Sequence, residues 1–346
     1  MVADLTPLVN RDKFDMDRFL PGLPEKFKIR GKQYGLPQLT TFGTLLFYNK
    51  NLFDQAGLKY PPVDWEDRSW TIEKAVDYAQ KLTKNPGTSD AVYGLAWGPS
   101  MPEMGTWIFG GDAFKKEHYE IGIADTTRID TPESIAAHEF EQDLRWKYFV
   151  WPRPGVDPAA GNFQSGRVGM VVGGGWNFWG YSVIKDFKWA AAAVPWKVTN
   201  KNTAYNDFWE LSAQSKNRDA AWAFMKHLVS PDVQARYSEL TGTPPTTRAA
   251  LETWYKRYQD LMPRAELEKV TQGAIDPKRS IESPDHTHID YYRYNPEYQK
   301  LIRTPILENK GRPREIIAAG KDAVNTIVKD IYESFKDRVQ AQLGAR

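Results

Sequence analysis

Short apolar runs alternate along this chain with stretches whose apolar residues recur every three or four positions, the signatures of buried strands and amphipathic helices. Thr44–Tyr48, Val92–Trp97, Met170–Val172, Trp189–Val194 and Asp207–Ala213 predict strands, and another is expected near Gln33–Leu36 after the turn Gly31-Lys32. Thr71 caps a helix over 72–84 in which Ile72, Ala75, Val76, Ala79 and Leu82 share one face, and Asn85-Pro86-Gly87 stops it. Thr131-Pro132 opens a helix carrying Ile135, Phe140, Leu144 and Phe149 at helical spacing. Helices are also expected over 17–30, 102–109, 218–229, 231–240 and 313–340, the last with Ile316, Ala323, Ile327, Ile331 and Phe335 on one stripe. Strands alternating with helices of this length predict an α/β fold. Pro37–Thr41 and Thr241–Pro245 break the pattern as short polar connections.

Residues 162–177, NFQSGRVGMVVGGGWN, are the most informative stretch. Phe163 precedes a turn at Ser165-Gly166, then come Arg167, the apolar strand Met170-Val171-Val172, and three glycines ending on Trp176. Glycine lets backbone approach a neighbour or a ligand where a Cβ would clash. An indole beside such a gap is suited to stack on a flat apolar face. The same residues also fit a buried strand ending in a loop whose Trp packs in the core.

At 346 residues the chain exceeds one ordinary core and fits two domains. Its 46 Lys and Arg against 44 Asp and Glu are interspersed, so no basic stripe argues for nucleic acid. No apolar run has the length of a membrane span, and the absence of cysteine excludes disulfides, thiolate metal sites and cysteine nucleophiles. Aromatic residues make up 13% of the chain, a surplus over core needs for which carbohydrate binding is one use. No G-x-S-x-G elbow occurs, and Gly173-Gly174-Gly175 lacks the Lys and Ser/Thr of a phosphate loop. Asp285-His286-Thr287-His288-Ile289-Asp290-Tyr291-Tyr292 gathers residue types that suit a first-row metal, but its Pro- and charge-rich surroundings favour a polar surface loop.

Several blocks resemble, in order, the extracellular solute-binding proteins of ABC importers, the group that includes sugar receptors. Phe163, Gly166, Arg167, Met170, Gly174 and Trp176 fall on that family's F-x-x-G-(K/R)-x-x-M-x-x-x-G-x-W pattern. Asp4–Leu8, Gly31–Pro37, Leu46–Lys50 with Leu52-Phe53, Gly110-Gly111-Asp112 and Ser215–Pro231 resemble its other blocks.

The resemblance implies an α/β, two-lobed periplasmic-binding-protein-like fold whose chain crosses between lobes near Pro37–Thr41, Tyr205–Leu211 and residue 255. One lobe is then 1–40 with 206–255, the other 41–205 with 256–346. The family's signal segment and first βαβα stretch precede its D-L-T-P-L block, so the resemblance implies that the N-terminal lobe is incomplete here. A carbohydrate, and in particular an oligosaccharide, would be captured between the lobes by a monomer and delivered to an ABC permease outside the cytoplasm. No catalysis, cofactor, metal or nucleic acid is implied. Carbohydrate-active enzymes and receptors for metals or other small solutes are the rival classes.

The ligand contacts implied are Trp176 with Asn177 and Trp179, and Gln38, Thr40 and Thr41 on the first crossing. Tyr205, Asp207 and Trp209 belong to the return crossing, Trp97 and Trp107 flank the loop 98–102, and Tyr298 precedes the final helices. Each also has an ordinary reading, as a core aromatic, a hinge residue or a turn.

Overall fold

The computed structural model describes residues 2–98, 102–288 and 291–343. In chain order the strands are β1 (Gly35–Thr40), β2 (Thr44–Asn49), β3 (Tyr93–Trp97), β4 (Val168–Gly174), β5 (Trp189–Ala192), β6 (Asn202–Ala204), β7 (Asn206–Glu210) and β8 (Ser280–Glu282). A two-residue hairpin also pairs Lys28–Ile29 with Lys32–Gln33. Four strands make a mixed sheet in the order β3-β4-β2-β5, where β3 and β4 run parallel and the other pairs antiparallel. Every residue of β2 is buried, as a strand covered on both faces must be. The Ile72–Leu82 helix starts where Thr71 Oγ1 accepts the Lys74 N–H at 3.2 Å and buries Ile72, Ala75, Val76, Ala79 and Leu82.

β1 and β7 pair antiparallel, Gly35 opposite Glu210 and Thr40 opposite Asn206, with a bulge between Pro37 and Leu39. Pro37–Thr40, expected as a polar connection, thus runs as a strand beside Asn206–Glu210, which overlaps the strand expected over Asp207–Ala213. β6, ending just before β7 begins, pairs in parallel with β8.

The largest apolar cluster surrounds the four-stranded sheet. A second joins Tyr291, Tyr294 and Tyr298 to Ile317, Val324 and Val328 of the Pro313–Leu343 helix. A third packs Leu5, Phe19, Leu36 and Leu211 against Trp222, Met225 and Val229.

Several expectations need correction. Residues 17–30 hold only one short helical turn, Pro24–Phe27, because Pro21 and Pro24 flank Gly22, whose φ of 78° is left-handed. Phe149 lies beyond the end of the Pro132–Trp146 helix and is exposed. In the last helix Ile331 is buried as expected, but further up the buried positions are Ile317, Val324 and Val328, one residue on from Ile316, Ala323 and Ile327; packing on Ile302 and Ile306, which periodicity cannot see, selects them. Residue 255 falls inside the Leu251–Tyr258 helix, whose Leu251, Trp254, Tyr255 and Tyr258 pack into the sheet's core. The aromatic surplus goes mainly to packing, since eight of the thirteen tryptophans are buried.

Candidate functional site

The end of β4 is built on close backbone approach. A Cβ added to Gly175 would lie 1.5 Å from the Thr41 carbonyl oxygen, and one on Gly174 would lie 2.1 Å from the Trp176 ring. Only glycine lets β4 reach the joint between β1 and β2, where Gly175 N–H donates to the Gly43 carbonyl at 2.7 Å. Trp176, half-buried, is thereby set against Tyr205, the residue that joins β6 to β7.

The two rings meet edge to face, with centroids 5.0 Å apart and planes at 73°. Tyr205 is in turn perpendicular to the His286 ring at 6.1 Å. Beside this row, a cavity of about 330 Å³ is lined by Gln38, Asp207, Phe208, Glu210 and His286. Asp207 is exposed and has no ion-pair partner among the described residues. Burial pushes the Glu210 carboxyl above its ordinary value.

His286 is held by Glu282, whose Oε1 lies 3.0 Å from Nδ1; that carboxylate contact raises the imidazole pKa against the opposing effect of burial, and the negative charges of Asp285 and Asp207 add to it. Glu282 also accepts the backbone N–H of Asn206 at 3.1 Å and its side-chain N–H at 2.6 Å, and it lies 3.6 Å from Lys26. One carboxylate therefore ties β8, the start of β7 and the segment before β1. The assembly offers aromatic faces, an amide, carboxylates and an imidazole on one rim. Such a set can stack on and hydrogen-bond a polyhydroxylated ligand.

Of the residues singled out from sequence, Trp176, Tyr205, Gln38 and Asp207 come together here. Asn177 starts the short helix Asn177–Tyr181, its amide close to Gly173. Trp179 is exposed and sits beside Gly242 in the Thr241–Pro245 connection. Thr40 and Thr41 are buried with their hydroxyls engaged, Thr40 Oγ1 with the Phe42 N–H and Thr41 Oγ1 with the Tyr205 carbonyl.

The remaining aromatics lie in cores. Trp97 is edge-on to Phe140 at 5.1 Å, and Trp107 is fully buried with its indole N–H donated to Asp112. Trp209 packs against the cluster of Leu5, Leu36 and Trp222, and Tyr298 OH lies 2.6 Å from His138 Nε2. Residues 99–101 of the loop flanked by Trp97 and Trp107, with Ile289 and Asp290, lie outside the described residues. Among the described residues no three His, Asp or Glu converge as a metal set. Sequence reasoning missed the role of Glu282 and His286, because the contacts of Glu282 with Asn206 and of His286 with Tyr205 exist only once β8 lies beside β6.

Residues 1–263 match the profile of the family described as bacterial extracellular solute-binding protein. A binding protein of Brucella abortus is 24% identical over 246 residues, covering 67% of this chain and 55% of its own length. The mannitol-binding protein of Pseudomonas aeruginosa is 24% identical over 301 residues, covering 78% of this chain and 62% of its own. The chain therefore spans less than two thirds of the length of these curated relatives. A substrate-binding protein of Listeria monocytogenes, solved with cycloalternan, superposes with a TM-score of 0.75 at 21% identity over 94% of this chain and 79% of its own. That likeness establishes the fold as the α/β fold of periplasmic solute-binding proteins.

Proposed function

Since the chain belongs to the bacterial extracellular solute-binding proteins, we propose that it captures a carbohydrate, in particular an oligosaccharide, for an ABC permease. The observation that supports this most is the row Trp176–Tyr205–His286 alongside the cavity of Gln38 and Asp207, at the ribbon of β1 and β7. Residues 1–40 with 206–255 form one lobe and 41–205 with 256–346 the other, except that the Leu251–Tyr258 helix moves with the second, in whose core it packs. The ribbon is the hinge. Ligand bridging the two sides favours closure by its differential affinity for the closed form, and the closed monomer docks on the permease outside the cytoplasm. Trp176 stacks on the sugar face, Asp207 and Gln38 take hydroxyls, and His286 completes the rim. The sugar leaves unchanged, since the role is capture without chemistry.

A thermal-shift screen over mannitol, maltose, mannobiose and cycloalternan, followed by calorimetry, tests this, because a ligand that binds only the native state raises its apparent stability. Stabilisation by at least one oligosaccharide, recovered intact after incubation, is expected. No shift with any carbohydrate, or conversion of the sugar, would overturn the reading.

A further inference from the structure

A second cavity, about 280 Å³, shares Phe208, Glu210 and His286 with the 330 Å³ cavity beside Asp207, so the same three side chains border both. Each lies near the lower end of the roughly 300–1,000 Å³ usual for small-ligand sites, room for about one sugar ring. Arg30 and Tyr34, at the Lys28–Gln33 hairpin, line the second cavity from one side of the proposed lobe division, and Tyr119, Gly122 and Thr287 line it from the other.

Its aromatic faces are accessible and held in place. Tyr119, half-buried, donates its hydroxyl to Asp112 and stands edge-on to Phe114 at 5.9 Å and to His288 at 5.1 Å. Gly122 ends the helix Lys116–Ile121 with a left-handed φ of 70°, and a Cβ there would lie 2.8 Å from the Thr287 carbonyl oxygen. Glycine thus lets this wall close on the neighbour of His286. Phe208, also half-buried, rests on Phe27 with centroids 4.3 Å apart.

Two side chains of the cavity have no use within the fold. Tyr34 is half-buried, its ring meets no other ring, and its hydroxyl has no hydrogen-bond partner among the described residues. That oxygen is not among the buried polar atoms, so a ligand can reach it. Arg30 is exposed and has no ion pair or hydrogen bond from its side chain among the described residues. It also sits in a two-residue turn between Ile29 and Lys32, where Arg30 and Gly31 have φ of 53° and 74°. Such turns favour Asn or Asp before the glycine, because other side chains are strained at left-handed φ. A strained residue that the fold itself does not use points to a function for its side chain.

We propose that this cavity is a second sugar subsite, so that the protein selects linear oligosaccharides of at least two rings over single sugars. This rests on the carbohydrate reading: one ring lies in the first cavity and the next in the second, against Tyr34, Phe208 and Tyr119. The Tyr34 hydroxyl and the Arg30 guanidinium bond the hydroxyls of the second ring, and Glu210 accepts from either ring. Because the second ring touches both proposed lobes, chain length itself favours closure.

Calorimetry on the full chain, with glucose against maltose and mannose against mannobiose, tests this. In at least one pair the disaccharide should bind about tenfold or more tightly than its monosaccharide, the order expected for one further stacked ring in a desolvated pocket. Tyr34→Ala should cut that preference about fivefold or more by weakening the disaccharide. Arg30→Asn should cut it too, at an equal or higher melting temperature, because asparagine suits the turn. Equal affinity for one ring and two, binding of neither disaccharide while another carbohydrate of the screen stabilises the protein, or variants that keep the parent's preference would each overturn the second subsite alone. Loss of every carbohydrate from the screen would instead overturn the carbohydrate reading, and the subsite with it.

Discussion

His288→Phe should remove about 2 kcal/mol of the stability that this protein loses on acidification from about pH 8 to about pH 5. His288 is 3% exposed and lies flat on Phe114, with centroids 4.3 Å apart and planes at 18°, while Tyr119 meets it edge-on at 5.1 Å. Its Nδ1 lies 3.1 Å from Thr287 Oγ1, and its Nε2 is buried without a hydrogen-bond partner among the described residues. Burial, with the charge of nearby His118 adding to it, pushes this imidazole down to about 3. A free imidazole titrates near ~6.5. The folded value is depressed, so the unfolded chain binds the extra proton. The stabilisation is therefore complete above ~6.5 and is lost as pH falls below it, at about 1.4 kcal/mol per unit, or about 2 kcal/mol by about pH 5.

Phenylalanine keeps the ring on Phe114 and removes the titration. His118, bonded to Asp125 at 3.1 Å, and the buried His138 are also held low by burial, but both remain in the variant and cancel in the difference. His286 is raised, so its contribution is present below ~6.5 and lost as pH rises through its folded value; it cancels too. Urea unfolding of parent and variant at about one-unit steps from about pH 8 to about pH 5 reads the effect. Parallel curves for the two proteins would refute the linkage.

Trp176→Ala should weaken whichever sugar the screen identifies by about 1–3 kcal/mol, with a much smaller change in the unliganded melting temperature; equal affinity in calorimetry would return Trp176 to a packing role. Asp207→Asn should reduce affinity by about 1.5–3 kcal/mol with a much smaller change in melting temperature, because the exposed carboxylate has no ion pair among the described residues and only adds at longer range to the field on His286. Gly175→Ala drives a Cβ to 1.5 Å from the Thr41 carbonyl oxygen and should destabilise by about 1–3 kcal/mol in chemical denaturation; parent-like stability would show that this backbone yields freely. Arg303→Met leaves Glu141 buried at 7% exposure with Arg145 alone: burial acts to raise that carboxyl, and Arg303, 2.5 Å away, is what chiefly holds it low. A loss of about 3–5 kcal/mol in urea unfolding is expected, and a change under about 1 kcal/mol would mean that Arg145 suffices.

Local signals were legible in the sequence wherever one stretch of chain settles the outcome by itself. Thr71 and Thr131 cap the helices they were expected to cap, and β2 to β5 lie where the apolar runs fall, because a cap or a buried strand depends on a few consecutive residues. The three glycines before Trp176 announced close backbone approach, and Gly174 and Gly175 have it.

The sequence did not separate the aromatics that pack in cores from those left at a rim. Trp97, Trp107 and Tyr298 have the same composition signal as Trp176, and only the packing of Phe140, Asp112 and His138 around them places them in cores. Glu282 and His286 belong to the same class of fact. Asn206 and Lys26, the partners of Glu282, lie 76 and 256 residues away from it along the chain, and Tyr205 is likewise remote from His286, so the contacts with β6 and β7 exist only after β8 pairs with β6. A hydrogen bond of that kind follows from sheet pairing, which no local periodicity encodes. Tertiary structure alone decided it.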